Sequence, residues 1–412
     1  MIPTPEKRIA DFENLGFGMF VHWGLYSQLG MGEWTYHIHK RDMEEYKKLK
    51  DTFTAEDFDA EAMVLTAKNA GCKYVTLTTR HHEGFSLYDT KGLCDFDAPH
   101  SPAKRDLIRE FVDACNKHGL LPFFYHTTLD WYQKDFNEDF DAYLEYLRKS
   151  VEILCTNYGK IGGLWFDGNW SKKGADWKED ALYATIRKHQ PDAMIINNTG
   201  LDALGAAGHP ELDSVTFEQG HPTPMNREGM PKYVAAEMCY TLNYHWGVGD
   251  LDFEYKSPKT LIEALCACRR VGANLLLNIG PTAQGGIVPI QKELLGIMGK
   301  WMSLYGEAIY GGKPHPATCG YAKNFVLRSE DALYFFIHDL GIKGSKHVVA
   351  QSECSDDFVF RGVSEEILSA EWMDNGENLE FKQEGDVFSL FATGYPYGMK
   401  TGVRVAKAIL KK

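Results

Sequence analysis

A chain of 412 residues exceeds one minimal domain, and a composition of 44% hydrophobic, 13% aromatic and 25% charged residues excludes a disordered, collagen-like or low-complexity protein. The 44 Lys and Arg against 57 Asp and Glu give a net charge of −13, which leaves no electrostatic drive toward nucleic acid or an anionic membrane surface. No apolar run is long enough to span a bilayer, and Pro3, Pro5, Glu6, Lys7, Arg8, Asp11 and Glu13 occupy the place of an apolar signal core. Nine scattered cysteines without a C-x-x-C pair read as reduced thiols, so the expected location is the cytoplasm.

Eight strand-length runs rich in β-branched and aromatic residues follow in order, several with a helical pattern between them. FGMFVHWG (17–24) is followed by AEAMVLTAKNAG (60–71), a helix closing on Gly71. YVTLTTRHH (74–82) precedes KRDLIREFVDACNKHG (104–119), which closes on Gly119. LPFFYHTTLDW (121–131) leads to DFDAYLEYLRKSVEILCTNYG (139–159), and IGGLWFDGNW (161–170) to WKEDALYATIRKHQP (177–191). AMIINN (193–198), SVTFEQG (214–220) and AAEMCYTLNYHWG (235–247) come with no helical pattern over 199–256. PKTLIEALCACRRVG (258–272) is the last of these helices and GANLLLNIGP (272–281) the eighth strand. Alternation of this kind predicts a parallel sheet, and eight strands predict a closed (β/α)8-like barrel, irregular after its fifth strand. A doubly wound open sheet is the alternative, but the sequence has neither a G-x-G-x-x-G turn nor a P-loop.

After GGKPHP (311–316) short strand patterns with Gly, Asp, Asn and Ser turns replace the alternation: NFVLRSE, ALYFFIHDL, HVVAQSE, DDFVFRG, LSAEWMDNG, LEFKQEG, VFSLFATG and TGVRVAKAIL. They predict a small C-terminal β-sandwich. The expected domains are thus a barrel over 1–312 and a sandwich over 313–412.

A parallel barrel places its active site at the C-terminal ends of its strands. Those ends carry His22 and Trp23; Arg80, His81, His82 and Glu83; Tyr125, His126, Asp130 and Trp131; Trp165 and Asp167; Glu218; and Glu237, with His245 and Trp246 beyond it. Aromatic faces beside hydrogen-bonding groups suit a sugar, whose ring has apolar C–H faces and hydroxyl edges. A glycosidase needs two carboxyl groups flanking the bond, and Asp167 and Glu218 end strands that can face each other. Asp167 also closes a Gly-Leu-Trp-Phe run expected to be buried, and a buried carboxylate needs a compensating partner. A metal centre is not expected. His81 and His82 are adjacent, so on a strand they point to opposite faces, and His37-x-His39 lies in a loop beside Lys40 and Arg41. No cofactor is implied.

FGMFVHWG, GEWTY (32–36), RHHEGF (80–85), LWFDG (164–168) and NLLLNIGPTAQGGIVP (274–289) together resemble, in order, the motifs of the α-L-fucosidases of glycoside hydrolase family 29, over roughly residues 8–312. The resemblance implies a retaining enzyme that releases terminal α-L-fucosyl residues through a covalent fucosyl-enzyme intermediate, with Asp167 as nucleophile. For the acid/base it leaves two positions: Glu218, favoured because it closes strand six before a glycine, and Glu237 in AEMC, which matches a Glu of the family's W-E-x-C stretch. It implies a fucose pocket lined by His22, Glu33, Trp34, His81, His82, Tyr125, His126, Trp165 and Trp246. The expected partner is a fucosylated oligosaccharide or glycoconjugate, with oligomerisation left open. Two departures stand out: Asn-Asn-Thr-Gly (197–200) stands where the family often has Asn-Asp-Arg-Trp, and Ala236 where it often has Trp. A catalytically silent fucose-binding protein, a metal-dependent hydrolase and a glycosidase for a related sugar such as L-galactose are the alternatives.

Overall fold

The computed structural model describes residues 1–201, 203–344 and 356–411. The expected strand HVVAQSE (347–353) and Cys354 lie outside them. The chain divides into two compact units, Met1–Lys256 with Asn274–Gly296, and Ser257–Ala273 with Ile297–Lys412. The change of sequence character near 312 marks the end of the helix Pro289–Gly311. The units are drawn differently from a single cut there, because the helix Pro258–Arg270 and most of Pro289–Gly311 pack with the strands that follow. Within this second unit the Trp301 indole, for example, donates to the Val403 carbonyl at 2.9 Å.

The first unit is a closed barrel of eight strands in sequential order, every neighbouring pair parallel: β1 (Phe17–Val21), β2 (Tyr74–Arg80), β3 (Leu121–Thr127), β4 (Gly163–Asp167), β5 (Met194–Asn197), β6 (Ser214–Glu218), β7 (Ala235–Thr241) and β8 (Asn274–Ile279). All eight lie where the apolar runs predict them. The helices Ala60–Ala70 and Leu107–His118 are set by local chemistry at both ends. Asp59 and Asp106 accept the N–H of Ala62 and Arg109, and Gly71 and Gly119 take the left-handed conformation (φ 93° and 74°) that ends each helix. Inside the barrel, Phe20, Tyr74, Phe123, Tyr125, Trp165 and Ile196 form one buried cluster. Phe12 of the helix Lys7–Leu15 closes it from the N-terminal side, its ring 5.6 Å from Tyr74 and 5.8 Å from Phe123.

The expected irregularity falls between β5 and β7, where no helix occurs among the described residues. β5 and β6 share a single paired position, Ile196 with Ser214. Asp213, the residue before β6, does part of the work of the missing ladder. Its buried carboxylate accepts the Ile195 N–H at 2.9 Å and meets Arg8, Arg187 and Lys232 at 2.9, 2.6 and 2.7 Å.

The second unit carries two antiparallel sheets. One orders β10 (Thr318–Cys319), β13 (Asp356–Arg361), β16 (Val387–Ala392) and β15 (Phe381–Glu384). The other orders β14 (Ile367–Trp372), β17 (Val403–Leu410), β12 (Ala332–His338), β11 (Phe325–Arg328) and β9 (Lys313–Pro314). They form a sandwich whose core is aromatic: Phe335 of one sheet lies 4.8 Å from both Phe360 and Phe388 of the other.

Burial pushes the Asp213 carboxyl up, but Arg8, Arg187 and Lys232 outweigh it and hold the group below the usual carboxylate range. Asp213→Asn should remove the counter-charge that Arg8, Arg187 and Lys232 share, leaving Arg8 only Glu6 and Arg187 only Glu211, and lower stability by about 3 kcal/mol, read as a lower urea midpoint at pH 7. Because the folded value is depressed, this contribution is complete above the unfolded pKa of about 4 and is lost as pH falls through the folded value. The difference between wild type and Asp213→Asn should therefore shrink in acid.

Candidate active site

Closure of the barrel brings the ends of its strands into one mouth. Asp167, the last residue of β4, keeps only 14% of its side chain exposed there. Its Oδ2 accepts the Tyr125 hydroxyl at 3.0 Å and lies 3.4 Å from His82 Nε2. Its Oδ1 accepts the Trp170 indole N–H at 2.9 Å and the Asn198 amide N–H at 3.3 Å. Burial alone pushes this carboxyl up, yet His82, Trp170 and Tyr125 together bring it below its ordinary value, so it is ionised at neutral pH.

Glu218 closes β6 and stands in the same pocket. Its Oε2 accepts the Asn198 amide at 2.6 Å. Burial, and next the Asp167 charge, push its pKa up to about 7. One pocket thus holds two carboxyl groups whose pKa values are pushed apart, the arrangement that divides acid from nucleophile.

The walls are aromatic: Phe20, Trp34, Tyr125, Trp165, Trp170 and Trp246 line the pocket. Between them stand three imidazoles. His22 Nδ1 lies 2.6 Å from the Asn278 Oδ1, and the Asn278 amide N–H is already donated to the Trp246 carbonyl. His22 Nδ1 must therefore carry the hydrogen, which leaves Nε2 as an acceptor. Burial pushes the His22 pKa down to about 3 and that of His81 well below the ordinary value, so both rings are neutral. His81 Nδ1 is buried with no partner in the protein. Among the described residues no three His, Cys, Asp or Glu side chains are grouped to hold a metal ion.

The sequence profile described as Alpha-L-fucosidase matches residues 5–307. Tissue α-L-fucosidase of Bos taurus is 30% identical over 333 residues, which are 74% of this chain and 69% of that one. Among solved structures, α-L-fucosidase isoenzyme 1 from Paenibacillus thiaminolyticus is 30% identical with a TM-score of 0.85, covering 98% of this chain and 99% of that one. The Thermotoga maritima α-fucosidase in complex with a mechanism-based inhibitor is 26% identical with a TM-score of 0.74, covering 96% of each chain. The chain belongs to the α-L-fucosidase family. It is a glycoside hydrolase.

The pocket gathers most of the residues expected from the sequence and excludes three. His22, Trp34, His81, His82, Tyr125, Trp165, Asp167, Glu218 and Trp246 line it. His126 does not: strand pleating sends it to the opposite side of β3 from Tyr125, where its ring meets Thr79 and Ser150 at 2.8 and 2.9 Å. Glu33 accepts the Trp246 and Gly247 N–H groups at 3.1 and 2.8 Å, so it shapes the loop bearing Trp246 and does not line the pocket. Glu237 is fully buried below the pocket between the Tyr74 hydroxyl and the Trp165 indole, the latter at 2.9 Å.

The expectation that His81 and His82 face opposite ways is corrected. β2 ends at Arg80, so the pleat no longer governs them, and both rings enter the pocket with centroids 4.2 Å apart. Sequence reasoning also missed Trp170 and Asn198, both bonded to Asp167, as well as Phe20, Leu201 and Cys239 in the lining. Trp170 was within reach, since it follows Asp167 by three residues in the same Trp-Phe-Asp-Gly-Asn-Trp run.

Replacing Trp170 by Phe keeps an aromatic ring but removes one donor to Asp167. The Asp167 pKa should rise, and the acid limb of kcat/KM on an aryl α-L-fucoside should move to higher pH by roughly half a unit or more. An unmoved acid limb would mean that the indole N–H does not support the charge.

Proposed function

We propose that the protein is a retaining α-L-fucosidase that releases terminal α-L-fucosyl residues from glycans by double displacement, with Asp167 as nucleophile and Glu218 as acid/base. The observation that carries the reading is the separation of the two carboxyl groups. Both accept from one nitrogen, Asn198 Nδ2, at 2.6 and 3.3 Å. Their nearest oxygens cannot lie further apart than those two bonds placed end to end. That limit on the nearest oxygens supports the close spacing of a retaining site, roughly 5–5.5 Å between carboxyl groups, over the roughly 6.5–9.5 Å that leaves room for water in an inverting one.

In the first step the ionised Asp167 attacks the anomeric carbon while Glu218 gives its proton to the glycosidic oxygen. The C–O bond to the leaving group breaks and an Asp167–fucosyl ester forms. Esterification removes the Asp167 charge, one of the causes that raise the Glu218 pKa. Glu218 is then the stronger acid and remains a carboxylate, ready to take a proton from the water that opens the ester. The Nε2 of His22 and the unpartnered Nδ1 of His81 are offered to sugar hydroxyls, and the aromatic walls to the C–H faces of the ring. A silent binding protein has no use for an ionised and a protonated carboxyl facing one pocket. Cys72, Cys115, Cys155, Cys239 and Cys266 are buried free thiols, which supports a reducing compartment as the place of action.

Asp167→Gly should lower turnover of an aryl α-L-fucoside by several orders of magnitude, and azide should restore part of it by attacking from the emptied side. Near-normal activity without azide would remove Asp167 from the role. Glu218→Ala should slow cleavage of fucosyl-oligosaccharides far more than of activated aryl fucosides, because a good leaving group needs little protonation. If Glu237→Ala gives that selective loss and Glu218→Ala does not, the acid/base is Glu237.

A further inference from the structure

Asn198 sits just beyond β5, in the Asn-Asn-Thr-Gly segment (197–200). Its amide nitrogen donates to Glu218 Oε2 at 2.6 Å and to Asp167 Oδ1 at 3.3 Å. The orientation of the amide is set from its other end. The Thr216 hydroxyl accepts the Gly200 N–H at 2.9 Å and gives its own hydrogen to Asn198 Oδ1 at 3.1 Å. A flipped amide would turn its NH2 toward Thr216 and its oxygen toward two carboxyl groups, one of them charged, so only one orientation satisfies every partner. The arrangement needs Gly200: a Cβ there would stand 2.0 Å from the Thr216 carbonyl oxygen.

We infer that Asn198 is a positioning residue that links the two carboxyl groups of the reaction, fixing which Glu218 oxygen carries the acid proton and easing its departure. The inference rests on the proposed roles of Asp167 and Glu218. An oxygen that accepts an N–H is a poor place for the acid proton, so the proton is left to Glu218 Oε1. As that proton moves to the leaving group, Glu218 becomes a carboxylate and its bond from Asn198 becomes charge-assisted, hence shorter and stronger. At the same moment Asp167 loses its charge to the ester and needs Asn198 less. The amide therefore has one N–H for each group, and its already short bond to Glu218 gains charge assistance as the long one to Asp167 loses it. An Asp at this position would offer acceptors where both neighbours need donors.

The test is the pH dependence of kcat/KM for fucose release from a fucosyl-oligosaccharide, whose poor leaving group needs the acid proton in the first step, for wild type, Asn198→Ala, Asn198→Asp, Thr216→Val and Glu218→Gln. Loss of the Asn198 donor should raise the pKa of Glu218 and move the alkaline limb up by roughly half to one pH unit in Asn198→Ala. The shift should be larger in the nearly isosteric Asn198→Asp, where a third carboxylate is added. Thr216→Val, which frees the amide to rotate, should move it the same way by less. A lower rate with an unmoved alkaline limb in both Asn198 variants would overturn the inference and leave Asn198 a structural residue. Glu218→Gln separates the two readings. If the limb persists in it, the acid/base assignment itself fails. If the limb vanishes there and stays in place in the Asn198 variants, only the inference on Asn198 fails.

Discussion

An ionised carboxylate in a pocket that excludes most water must be stabilised by fixed groups, and the mouth of this barrel is arranged around that requirement at Asp167. Each of its four polar neighbours comes from a different stretch of chain. Tyr125 stands on β3, His82 follows β2, Trp170 follows β4 and Asn198 follows β5. No local segment could supply all four; only a closed sheet brings them to one point. The charge they hold then acts on its surroundings. It is one cause of the raised Glu218 pKa, and it favours donors over acceptors in the groups around it.

Glu218 and Glu237 show that a perturbed carboxyl does not identify its own role. Burial is the largest cause in both, and both are pushed up to about 7. What separates them is what else touches the group. Glu237 is enclosed by Tyr74 and Trp165, both partners lowering its pKa, and it has no exposed surface. Its place is to orient the Trp165 indole that walls the pocket. Glu218 has one amide partner, feels the Asp167 charge and faces the pocket. A proton that must reach a glycosidic oxygen needs that access.

The fold was largely legible because strand runs and helix caps are local signals, and eight strand runs in order with helical patterns between several of them leave few topologies. The site was legible to the depth at which the pleat could be followed. Asp167 and Glu218 end their strands and Tyr125 lies inside β3, so their directions follow from alternation. His81 and His82 lie one step beyond β2, where alternation stops, and their convergence depends on a turn that periodicity does not describe. His126 was misplaced for the opposite reason: the pleat does reach it and turns it outward. The helix Pro289–Gly311 went unread because Gly296 and Gly306 interrupt its pattern, and the glycine-rich segment after β8 reads as loop. Asn198 was visible only as a departure from a family motif, since nothing in its own neighbourhood says which carboxylates it will meet.

That departure also changes the electrostatics of the pocket. Where the resemblance leads one to expect Arg, this chain has Thr199, whose hydroxyl is turned to the Ala206 carbonyl at 2.7 Å. No Lys or Arg lines the pocket among the described residues. A fixed cation there would stabilise both carboxylates at every stage and would partly cancel the effect of Asp167 on Glu218. Without one, the charge on Asp167 acts on Glu218 uncompensated. While Asp167 is ionised its charge helps to raise the Glu218 pKa, and under the proposed mechanism that cause is lost once Asp167 is covalently bound. A neutral amide between them preserves that dependence while holding the geometry, which a cation would hold at the expense of the coupling.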